Sequence, residues 1–164
     1  MPELEQIFSQ AKNSFSACHF LVDFDKCDRL HGHNYSVTVK IKYSHKDLTS
    51  TIDFRSVNAI IRQELQLLDQ KILLPKKSSK IKIHSSLDGM NWEVTVINDK
   101  TYSFPKQDTI LLNGIEQTTT EGLAFYLHQR FSSWLNISYP DLISSLDITI
   151  AENLGNQVKY SGPV

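Results

Sequence analysis

The chain has little that would tie it to a membrane, a secretory route or a polyanionic partner. Only two cysteines, Cys18 and Cys27, occur in 164 residues. So sparse a pair is not a disulfide framework; it reads as free thiols in a reducing compartment, which leaves a catalytic or metal-binding role open. The net charge is −1 with histidine neutral, so there is no general electrostatic attraction to nucleic acid or to an anionic lipid surface. No run of about 18 apolar residues is present, and none is therefore expected to span a bilayer. The opening stretch, MPELEQIFSQAKNSF, has neither the basic n-region nor the apolar h-region of a signal peptide. Low-complexity tracts, internal repeats and obvious linkers are missing too. These absences lead us to expect a soluble cytoplasmic protein with no nucleic-acid or membrane partner, folded as a single domain over residues 1–164. What is present suits a substantial core: 40% apolar residues, with eight Phe, six Tyr and two Trp.

Periodicity gives the element order. In Asn34–Tyr43, the residues Tyr35, Val37, Val39, Ile41 and Tyr43 alternate with polar ones, the signature of a half-buried strand. Phe15–Phe20 reads as its partner, joined to it by a loop that contains Cys27 and His31. Val57, Ile60, Ile61, Leu65 and Leu68 recur at helical spacing behind a possible N-cap, Asp53. From Ile81 to Phe104 the pattern returns to strands, with WEVTVI and KTYSF flanking Asn98-Asp99 as a hairpin. Thr118 and Glu121 have the form of a capping box for a second helix, whose face is Leu123, Leu127, Phe131 and Trp134, ending near Leu135. LDITIAE and NQVKYSG close the chain as two strands around Leu154-Gly155-Asn156. The order ββ-α-ββ-α-ββ predicts an α+β domain on an antiparallel sheet.

The chemistry concentrates early. His31-Gly32-His33 places two imidazoles two residues apart, and in an extended segment both rings point to one face. His19, ending the preceding strand, is a third candidate ligand. Three neutral imidazoles around an open position are the donor set of a catalytic zinc. The plainer alternative is a surface turn at His31–His33 and a satisfied core histidine at His19. Cys27 could be a fourth ligand, a nucleophile or base, or an inert small hydrophobe; a nearby dication would favour its thiolate. Cys18 precedes His19 in the strand, so it is expected on the opposite face, toward the core.

Together, Phe15-Ser-Ala-Cys-His19 and Cys27-Asp-Arg-Leu-His31-Gly-His33-Asn-Tyr35 resemble the signature of the 6-pyruvoyl-tetrahydropterin synthase family, which includes the 6-carboxytetrahydropterin synthases of the queuosine and archaeosine pathways. The resemblance continues through Asp53-Phe54, Leu68-Asp69, Thr119-Thr120-Glu121 and Glu152, leaving out a divergent insertion at about residues 76–114. It implies the tunnelling fold, an antiparallel sheet with two helices on one face, here with an extra β-hairpin. It implies a homo-oligomer, commonly a hexamer, with active sites at subunit interfaces. It implies zinc (Zn2+) held by His19, His31 and His33, Cys27 and Asp69 as catalytic groups, and a pterin pocket lined by Thr119, Thr120 and Glu121 and anchored by Glu152. The implied activity is that of a carbon–oxygen or carbon–carbon lyase converting 7,8-dihydroneopterin triphosphate into 6-carboxy- or 6-pyruvoyl-tetrahydropterin. The anchoring role makes chemical sense, because one carboxylate can accept two parallel N–H bonds from a pterin edge.

One departure bears on function. The family's relay beside the cysteine is an Asp-His pair, and the matching dipeptide here is Asp69-Gln70. Glutamine has no titratable proton near neutrality. Either another histidine substitutes, with His84 the first candidate, or the chain runs an altered reaction or binds a pterin or purine without turnover. Lys71, Lys76, Lys77 and Lys80 are candidates for meeting a triphosphate.

Overall fold

The computed structural model describes residues 3–44 and 52–164. Its main sheet is organised around one long strand, β3 (His31–Ser44). Two shorter strands lie end to end against it: β1 (Glu3–Phe8) pairs with residues 39–44 and β2 (Ser14–His19) with residues 31–36, both antiparallel. The expected alternation on β3 holds, with Tyr35, Val37, Val39, Ile41 and Tyr43 all buried. Strand β3 starts three residues earlier than the sequence suggested, so His31 and His33 belong to the sheet and not to a loop. On its other side β3 pairs with β9 (Ile143–Asn153), which pairs in turn with β10 (Asn156–Gly162).

Helix α1 (Phe54–Leu68) buries Val57, Ile61, Leu65 and Leu68, and Asp53 caps it by accepting from the Arg55 N–H at 3.1 Å. It ends where Gln70 turns into the left-handed region at φ 58°. The turn is tied to the sheet, because the Gln70 N–H donates to the Ser16 carbonyl at 2.7 Å and the Ser16 N–H donates to Asp69 Oδ1 at 2.8 Å. The chain then enters β4 (Lys71–Pro75), which lies parallel to β2, and β8 (Thr109–Leu112) lies parallel to β4. The sheet is therefore mixed: antiparallel from β10 through β9 and β3 to β2, and parallel at the β4–β8 edge. Parallel neighbours need a crossover connection, and α1 supplies the first of them.

Helix α2 (Thr120–Ser138) packs on the same face as α1 and buries Leu123, Leu127, Phe131 and Leu135. Each such side chain contributes on the order of 1.5–3 kcal/mol by leaving water. Arg130 on α2 holds Glu64 on α1 through two bonds, of 2.8 and 3.0 Å. The N-cap is Thr119, which accepts from the Gly122 N–H at 3.1 Å, and not Thr118 as the capping-box pattern suggested. Thr118 is buried instead and turns its carbonyl to His19.

The segment expected to be a divergent insertion folds as more than a hairpin. Strands β5 (Ile81–Ser85), β6 (Asn91–Val96) and β7 (Thr101–Pro105) form a separate antiparallel sheet. It has its own apolar cluster, in which Ile81, Val94, Val96 and Phe104 pack on Phe20, Val22 and Leu74. The β6–β7 turn is the expected one, with Asp99 at φ 65°.

His128 on α2 is buried, and its Nε2 has no hydrogen-bond partner among the described residues. Burial lowers its pKa, outweighing the nearby backbone of Gly162 and Leu146, which favours the proton. The unfolded chain therefore takes up a proton near pH 6.5 that the folded chain refuses. Stability from this residue is complete above that pH and lost as pH falls below it. Chemical denaturation at pH 7.5 and pH 5.5 should show a smaller pH-dependent loss in His128→Gln than in the parent.

Candidate metal centre and adjoining cleft

The register of β2 on β3 builds the cluster. His19 is the last residue of β2 and stands directly opposite His31, the first of β3, with His33 two residues further on. Residues opposite each other, and residues two apart, share a face. That face is the one Tyr35 to Tyr43 turn toward the helices, so the cluster is the polar end of the core stripe. It follows that Cys18 points away from the core and is exposed, the reverse of the sequence expectation. Cys18 and His19 do take opposite faces, but the buried face is the one that carries His19.

One ligand nitrogen from each of His19, His31 and His33 can be chosen so that all lie within 4.8 Å of one another. His19 Nδ1 donates to the Thr118 carbonyl at 2.8 Å and His31 Nδ1 to the Arg29 carbonyl at 2.7 Å. These bonds set both tautomers and leave each Nε2 with a lone pair, the usual outer-shell arrangement around a metal-binding imidazole. His33 Nε2 is buried and lies 3.0 Å from Glu152 Oε1, but out of line for a hydrogen bond, so among the described residues it has no hydrogen-bond partner. Burial holds His19 down at about pKa 4 and lowers His33 as well, so both are neutral at pH 7. Neutral, oriented and under-satisfied imidazoles fit a zinc ion. Tyr35, which follows the same parity, lies behind the rings with its hydroxyl 3.4 Å from His19 Nε2. Burial pushes the Tyr35 phenol well up, so it stays protonated.

A cleft of about 380 Å³ opens beside the cluster. His19, His31, Cys27, Thr119, Thr120, Glu121 and Glu152 all line it. Cys27 comes from a 3-10 turn (Asp25–Asp28) in the β2–β3 connection and is half-buried. Thr119, Thr120 and Glu121 come from the head of α2. Glu152 continues the buried face of Leu146, Ile148 and Ile150 on β9, and its Oε2 accepts from Thr120 Oγ1 at 2.7 Å. The β9–β10 turn adds Gly155 and Asn156, and Leu21 and Phe24 form an apolar wall. Sequence reasoning missed these and Tyr35; only the parity of Tyr35 with His31 and His33 could have pointed to it.

Other candidates lie elsewhere. Asp69 does not line the cleft; it closes the α1 turn against Ser16. Gln70 lines a hollow of about 300 Å³ that also involves Ser16, Cys18, Asn34 and Lys71. His84 is on the insertion sheet opposite Glu93. None of Lys71, Lys76, Lys77 and Lys80 lines the cleft: Lys71 donates to the Gln107 carbonyl, and Lys80 pairs with Asp23 at 2.7 Å.

The family model for 6-pyruvoyl tetrahydropterin synthase matches residues 9–163. The chain belongs to this family. A Methanocaldococcus jannaschii protein, provisionally named 6-carboxy-5,6,7,8-tetrahydropterin synthase, is 30% identical over 149 residues, which cover 89% of this chain and 88% of that one. A Pyrococcus abyssi protein with the same provisional name is 25% identical over 118 residues, covering 71% and 68%. The 6-pyruvoyltetrahydropterin synthase of Plasmodium vivax superposes with a TM-score of 0.88 at 22% identity over the full length of both chains. That of Plasmodium falciparum gives 0.87 at 24% over 99% of each. These two structures establish the fold: the chain has the architecture of the 6-pyruvoyl tetrahydropterin synthases, a mixed sheet with two helices on one face.

Proposed function

We propose that the chain is a zinc-dependent lyase acting on 7,8-dihydroneopterin triphosphate to give 6-carboxy- or 6-pyruvoyl-tetrahydropterin. The observation that carries this reading is the convergence of Cys27, His19, His31, Thr119–Glu121 and Glu152 on one cleft, with His33 completing the histidine cluster beside it. His19, His31 and His33 would hold the zinc, which supplies Lewis acidity toward the substrate side chain. Glu152 accepts the N–H donors of the pterin edge, with Thr120 holding the carboxylate in place. Leu21 and Phe24 exclude water from one side of the cleft. Cys27 moves the proton on the carbon next to the polarised group. Asp69 would have to come from a neighbouring copy, in keeping with a homo-oligomer, commonly a hexamer in this family, with active sites at interfaces. The same assembly would have to supply the cations for a triphosphate, since among the described residues no lysine or arginine lines the cleft of one chain.

Gln70 supports a second reading, a homologue that binds a pterin or purine without turnover or runs an altered reaction. Among the described residues, the only histidines lining the cleft are the candidate ligands His19 and His31. Product analysis after incubating the zinc form with dihydroneopterin triphosphate separates the two readings. We expect triphosphate release and a tetrahydropterin product, with faster turnover in Gln70→His. Tight pterin binding with no release in either protein would establish the second reading.

A further inference from the structure

The insertion sheet holds the segment that carries Cys27, and it does so from both ends. At the entry, Phe20 and Val22 are buried in the insertion's own apolar cluster, and the Phe20 ring stacks on Tyr102 of β7 at 4.8 Å. One residue further on, Asp23, at φ 67°, is paired with Lys80 at 2.7 Å. At the exit, the β6–β7 turn reaches over to Asp28, the residue after Cys27. Lys100 Nζ donates to Asp28 Oδ2 at 2.6 Å and to the Asp28 carbonyl at 3.1 Å, and Asn98 Nδ2 donates to the same Oδ2 at 3.2 Å. The turn is itself braced, with Val96 N–H donating to the Lys100 carbonyl at 2.8 Å and Lys100 N–H to Asn98 Oδ1 at 3.3 Å. By contrast, the Cys27 segment has few bonds of its own: Leu21 N–H to the Cys27 carbonyl at 2.8 Å, Cys27 N–H to the Phe24 carbonyl at 3.0 Å and Arg29 N–H to the Lys26 carbonyl at 3.2 Å, with Val22 N–H donating to Gln117 Oε1 at 2.7 Å at its entry. It buries no residue of its 3-10 turn.

We propose that the β6–β7 turn of the insertion is a positioning device for Cys27, with Lys100 and Asn98 fixing the Cys27 loop over the cleft through Asp28. The loop follows a strand that ends at the cluster and precedes His31, so its two ends are anchored by the sheet. The 3-10 turn between them has no core of its own, and short irregular segments of this kind open locally at little cost unless tied from outside. Binding Asp28 at both its carboxylate and its carbonyl restricts the side chain and the backbone at once. Lys100 and Asn98 do not line the cleft and act only through Asp28. This inference takes from the proposed function only that Cys27 is the reactive thiol.

The test is the alkylation rate of Cys27 by iodoacetamide in zinc-loaded protein on a Cys18→Ser background, which removes the exposed competing thiol. Lys100→Met and Asp28→Asn should each raise the rate at least threefold, with the melting transition still cooperative. Lys100→Met removes both of the lysine's bonds to Asp28, so the double variant should be no faster than Lys100→Met alone, and Lys100→Arg should return toward the parent rate. Where turnover is measurable, kcat should fall with KM little changed. Unchanged alkylation in both single variants, or additive effects in the double variant, would overturn the proposal. Alkylation needs no turnover, so a catalytically silent protein leaves this test intact, and an active enzyme with unchanged alkylation defeats the clamp alone.

Discussion

Replacing His33 with alanine should strip the protein of zinc. After dialysis against a chelator, the parent should retain close to one zinc per chain and His33→Ala close to none. Competition with a chromophoric chelator should show a loss larger than the roughly 10–100-fold typical of removing an outer-shell partner. The reason lies in the site's economy. Three imidazoles converge within 4.8 Å, and two remaining ligands cannot hold the ion in a tetrahedral site that also needs an open position. His33 is the sharpest choice of the three because its Nε2 is buried and, among the described residues, makes no hydrogen bond, with only the Glu152 carboxylate 3.0 Å away and out of line. His19→Ala and His31→Ala should behave alike. Cys18→Ser should keep its metal, because Cys18 is on the far side of the sheet. Parent-like affinity in His33→Ala would remove the metal centre from the proposed function.

Glu152→Gln should leave zinc content intact and weaken pterin binding by about a hundredfold or more. A carboxylate accepting two N–H bonds from a neutral ring contributes roughly 1.5–3 kcal/mol per bond, and about 1.4 kcal/mol is a factor of ten. Glutamine keeps the length and shape of the side chain and turns one acceptor into a donor that faces the pterin's own donors. The bond from Thr120 Oγ1 at 2.7 Å holds the carboxylate in place, so Thr120→Val should weaken binding in the same direction by a smaller factor. Fluorescence titration with a pterin measures both without requiring turnover. An affinity within twofold of the parent in Glu152→Gln would show that the pterin is anchored elsewhere.

The three-stranded sheet of β5–β7 and the Asp69-Gln70 turn are the two places where the family resemblance read from the residues breaks off. Gln70 occupies a left-handed position that ends α1, and its N–H is committed to Ser16. A histidine there would keep the backbone bond, since only the side chain changes, which makes Gln70→His a clean exchange. The insertion carries its own apolar cluster, so it is a folded element and not a loop.

Much was legible in the residues themselves. Alternation along β3, the 3.6-residue stripes of both helices and the β6–β7 turn are local patterns, and local physics reads them directly. The order of His19, Cys27, His31, His33, Thr119–Glu121 and Glu152 was enough to recognise the family. Three things needed the tertiary structure. Strand β1 and the parallel pairing of β4 and β8 depend on partners far along the chain, which periodicity does not specify. The face on which His19 and Cys18 lie could be read only as opposite sides, because parity does not say which side the helices cover. Bringing His19 opposite His31, with Glu152 arriving from β9 and Thr120 from α2, depends on strand register and helix packing. Those are set by the whole core at once, and a sequence determines them only by folding.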